Sequence, residues 1–164
     1  MQDIYWIKMY RYKYSIYYLR EQLQMMISVN RSIKIVCAVA SSASIAAWAK
    51  WNGAAFWWGL VIVISQVISA MVEILPFKER ISELSNMLAI LSNLYINIEK
   101  DWYRVASGEL NSGEINELVY SYEEQWDRID SKYFVKDVIP RKDKFRDIAE
   151  EQANEYFKST FRED

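Results

Sequence analysis

Hydrophobic and polar positions follow three different rules along this chain. In the first thirty residues Ile7, Tyr10, Tyr14 and Tyr17 recur at steps of three and four, which predicts a helix with one aromatic face. Basic residues interleave with aromatics from Lys8 to Arg20. Such a face suits an anionic lipid surface, and it equally suits packing against other helices. Stacking on single-stranded nucleic acid is a weaker third use, because no recognisable binding module accompanies the aromatics.

The second rule is absence of charge. Between Lys34 and Lys50 lie 15 uncharged residues, and Trp51 to Val72 form another uncharged run that Glu73 ends. A hydrocarbon core of about 30 Å needs about 20 helical residues. The second run has that length, and the lysine stems at both ends can extend the first. Trp48, Trp51, Trp57 and Trp58 surround Asn52-Gly53, as an aromatic belt around a turn would. The expectation is a transmembrane hairpin with spans over 33–49 and 54–75. Lys8, Arg11, Lys13, Arg20, Arg31 and Lys34 precede it, and Lys78 and Arg80 follow. The positive-inside rule then places both termini in the cytoplasm.

The third rule is the heptad. Ile81, Leu84, Leu88, Leu91, Tyr95, Ile98, Trp102 and Val105 alternate in steps of three and four, a seam that a partner helix must cover. ASGELNSG (106–113) breaks the helix, with Ser112 and Glu114 offering the next start. Ile115, Val119, Tyr122, Trp126, Ile129 and Tyr133 continue the spacing. A short loop between two such helices predicts an antiparallel hairpin, and an intermolecular coiled coil is the competing use of the first seam. After Pro140, Phe145, Ile148, Tyr156 and Phe161 suggest a last amphipathic helix. The fold class expected is therefore an all-α membrane protein. Its parts are an amphipathic cytoplasmic helix (1–32), a two-span hairpin (33–76) and a cytoplasmic helical region (77–164).

Composition removes much chemistry. Among 164 residues there is no His and one Cys, Cys37, so zinc sites, disulfides and histidine-based catalysis are not supplied. A net charge of -2 exerts no general pull on nucleic acid. No phosphate-binding glycine loop or supported carboxylate pair is present. The chain reads as a non-enzyme with no cofactor and no specific nucleic-acid binding.

Three constellations remain. Gln66, Ser69 and Glu73 share one helical face with Ala70; such a polar stripe either glues helices together or lines a pore. Ala38, Ser42 and Ala46 form a small-residue ridge suited to close helix packing. Arg141, Lys142, Lys144 and Arg146 could contact a phosphate or a lipid headgroup, although Asp143 interrupts them and exposed charge runs are usually solvated surface.

The order of an aromatic amino-terminal helix (RYKYSIYYLREQ), two close apolar runs, a long helix (FKERISELSNMLAILSNLYINIEKDWYRV) and a third region beginning SGEINELVYSYEEQWDRI resembles the SLATT family of bacterial two-transmembrane effector domains. The resemblance implies an inner-membrane effector of anti-phage defence, acting in abortive infection. Such an effector oligomerises to form a pore or disrupt the membrane, in some systems under a nucleotide second messenger. It also implies membrane lipids, other copies of the chain and a separate sensor or signal-producing protein as partners. Two alternatives stand beside it: a membrane-anchored helical scaffold that docks a cytoplasmic partner, and a holin-like protein.

Overall fold

The computed structural model describes residues 1–40, 77–133 and 142–161, together with 59, 60, 63, 64, 66, 67 and 70. Four long helices run through them: α1 (Gln2–Ala40), α2 (Phe77–Ala106), α3 (Ser112–Tyr133) and α4 (Asp143–Phe161). The chain divides into two compact units, one of residues 1–23 and 82–164, the other of residues 24–81.

In the first unit, side-chain contacts set the helix directions. The Tyr5 hydroxyl donates to the Ile98 carbonyl at 2.8 Å and the Gln2 amide to Val105 O at 2.8 Å, so α1 and α2 run antiparallel. Tyr12 stacks on Trp126 at 4.5 Å, and Lys8 pairs with Glu123, so α3 runs parallel to α1. The Tyr10 hydroxyl donates to Asn154 Oδ1 at 2.8 Å, while Trp6 meets Phe157 at 4.9 Å and Phe161 at 5.3 Å. That makes α4 antiparallel to α1. The result is an up-down-up-down arrangement in which α1 and α2 each touch both α3 and α4.

The core follows heptad columns. On α1 it is Tyr5, Met9, Tyr12, Ile16 and Leu19. The aromatic face expected at Ile7, Tyr10, Tyr14 and Tyr17 is rotated from this: Ile7 is 55% exposed and the three tyrosines are half-buried. On α2, Leu84, Leu88, Leu91, Tyr95, Ile98 and Val105 are buried, and so are Met87 and Leu94 one column over. The third column exists because three helices, not one, cover α2. Burial of each such side chain contributes about 1.5–3 kcal/mol. On α4 the innermost residues include Ala149 and Ala153, whose small side chains permit close approach.

The α2–α3 connection is capped at both ends. Gly108, at φ 75°, carries the reversal after α2; its N–H donates to Val105 O and that of Glu109 to Arg104 O, the paired bonds of a Schellman end. Asn111, rather than Ser112, caps α3. Its Oδ1 accepts from the N–H groups of Gly113 and Glu114 at 2.8 and 3.0 Å, and Glu114 Oε2 accepts from its N–H at 2.8 Å, a reciprocal capping box.

The expected membrane architecture is corrected. Among the described residues no helix is long and apolar enough to cross a membrane. The two-span hairpin, the transmembrane and pore-forming character, and the multi-pass inner-membrane location with both termini cytoplasmic are therefore not supported. α1 enters the first uncharged run and is described as far as Ala40. Residues 41–58, which would complete that span and its turn, lie outside the described residues. The other described helices are amphipathic, with one face buried in the bundle. That burial also covers most of the α2 seam within one chain.

Candidate functional site

The first unit contains a polar-aromatic cluster around Lys13. The Lys13 ammonium lies 3.5 Å from the Tyr156 ring centroid, 4.4 Å from Tyr95 and 5.5 Å from Tyr17, a cation held against three ring faces. The Tyr156 hydroxyl donates to Glu99 Oε1 at 2.6 Å. Burial pushes the Lys13 pKa down, while Glu99 opposes that shift. On the other side of the α1–α2 pair, Tyr122 donates to Asp101 Oδ2 at 2.7 Å. Burial first, and then these hydrogen bonds to carboxylates, raise the pKa values of Tyr122 and Tyr156. Burial raises Tyr5 and Tyr95 as well and takes Tyr12 up to about 12. Of these phenols, Tyr5, Tyr122 and Tyr156 are donors that join helices. The Tyr12 and Tyr95 hydroxyls and Gln22 Oε1 are buried with no hydrogen-bond partner among the described residues. Nothing in this cluster pairs a nucleophile with a base, and among the described residues no group of three His, Cys, Asp or Glu is placed to hold a metal ion.

The residues singled out from the sequence scatter. Gln66 is helical and exposed, while Ser69 and Glu73 lie outside the described residues. Ala38 is helical and exposed on α1; Ser42 and Ala46 are outside. In the seam, Ile81 and Trp102 are half-buried, and Trp102 packs on Trp6 at 4.9 Å. Of the basic cluster, Arg141 is outside. The Lys142 backbone N–H donates to Tyr18 Oη at 3.2 Å, and Lys144 is exposed. Arg146 lies 3.9 Å from Asp143 and 3.8 Å from Asp147, so acidic neighbours on its own helix offset its charge.

The second unit presents a different surface. Ile27, Val29, Ile35 and Val36 on α1 are large apolar side chains left open, Ile35 at 53% exposure. Leu60, Val63, Ile64 and Val67 are helical, follow steps of three and one, and are open too, with Val63 at 59%. Ile27 and Val29 carry no clear signal in the sequence, because they stand beside Asn30, Arg31 and Lys34 without a sustained heptad, whereas Ile35 and Val36 open the first uncharged run. A shallow groove of about 360 Å³ runs along one face of α1, lined by Ile27, Asn30, Arg31, Lys34, Ile35 and Ala38. Aliphatic side chains here are uncovered, whereas those in the heptad columns of the first unit are packed and its open ones, Ile4, Ile7, Ile90 and Ile96, lie outside those columns. A contiguous open apolar patch marks an interaction site, whereas apolar side chains scattered singly are ordinary surface. No protein-family model, curated protein or solved structure matches this chain.

Proposed function

We propose that this chain is a helical docking module without catalytic chemistry. The four-helix unit is its rigid body, and the open apolar side chains of residues 24–81 are its attachment surface. One observation carries the reading: of fifteen large apolar side chains exposed in the described residues, eight belong to residues 24–81 (Ile27, Val29, Ile35, Val36, Leu60, Val63, Ile64 and Val67). Leaving them in water forfeits the burial free energy that the same residue types gain in the first unit. A second copy of the chain, or another apolar surface, can cover them. On the resemblance to SLATT effectors, the module belongs to a bacterial conflict system in which a separate protein senses the signal.

A photo-crosslinking side chain placed at Ile35 or Val63 tests this in living cells. Both sites should give abundant, defined adducts, and the same group at exposed Glu124 on α3 should give few. Equal, sparse crosslinking at all three positions would remove the docking reading.

A further inference from the structure

We draw no further inference here: the strongest candidate, the surface patch of Leu60, Val63, Ile64 and Val67 in the unit of residues 24–81, belongs to the docking surface already described, and nothing in the structure shows what covers it.

Discussion

In the unit of residues 1–23 and 82–164, apolar side chains at heptad spacing are covered: Met9 and Leu91 are fully buried at 0% exposure. In the unit of residues 24–81, Ile35 and Val63 are more than half exposed. Residue type does not separate the two, since both are rich in Ile, Leu and Val. Their surroundings do. In the first unit the heptad columns have neighbouring helices bringing aromatic rings to them, and aromatic pairs such as Trp6–Phe157 add about 0.5–1.5 kcal/mol beyond burial. In the second, the described faces have no such cover. Apolar pattern reports that a face needs a partner; it does not report whether the chain provides one.

The largest effect should come from putting a charge into each surface. Leu91→Asp buries a carboxylate with no designed partner and should cost several kcal/mol, removing most of the stability measured by urea unfolding. Ile35→Asp should stay within about 0.5 kcal/mol, as an exposed substitution does. A comparable loss at Ile35 would mean that its face is covered after all, and the contrast would collapse.

Next in size are two tyrosines within the packed unit. Tyr122→Phe removes a hydrogen bond to the Asp101 carboxylate and should cost about 1.5–3 kcal/mol. Tyr12→Phe removes a buried hydroxyl that has no partner among the described residues, and should be neutral or stabilising. Their pH behaviour sharpens the point. Each tyrosine has a folded pKa raised above its unfolded value, so the folded state keeps protons that the unfolded state gives up. Stability from this source is complete below about pH 10 and declines as pH rises further. For Tyr12 the decline runs from about pH 10 to about 12. Unfolding midpoints across that window should fall less steeply in Tyr12→Phe than in the native chain. Identical slopes would show that Tyr12 ionises as readily folded as unfolded.

The smallest effect concerns a local device. Asn111→Ala removes the cap of α3 and should cost about 1 kcal/mol. Asn111→Asp, which can still accept both N–H groups, should recover most of it. Ser112→Ala should have little effect on the unfolding midpoint, because Ser112 is not the cap.

Local periodicity was sufficient for much of the first unit. The columns through Leu84, Leu88, Leu91, Tyr95 and Ile98, and through Ile115, Val119 and Tyr122, stand in the sequence because 3.6-residue geometry forces residues three and four apart onto one face. The break at Gly108 was equally legible, since a left-handed residue ending a helix is most easily glycine. What periodicity could not supply was the number of neighbours. Met87 and Leu94 belong to the core because α2 is wrapped by α1, α3 and α4, and Ala149 and Ala153 because α4 comes close.

The uncharged runs show the same boundary from the other side. Their lack of charge stands in the sequence and suggests a lipid-crossing helix, yet among the described residues no helix has the length and apolarity that crossing requires. Amino-acid order by itself determined that this chain is helical, has no histidine and a single cysteine, and is rich in faces that must be covered. Only the tertiary structure decided which faces the chain covers for itself. Coverage depends on residues far apart in sequence, as when the Tyr5 hydroxyl meets the Ile98 carbonyl at 2.8 Å, and no local spacing encodes that meeting.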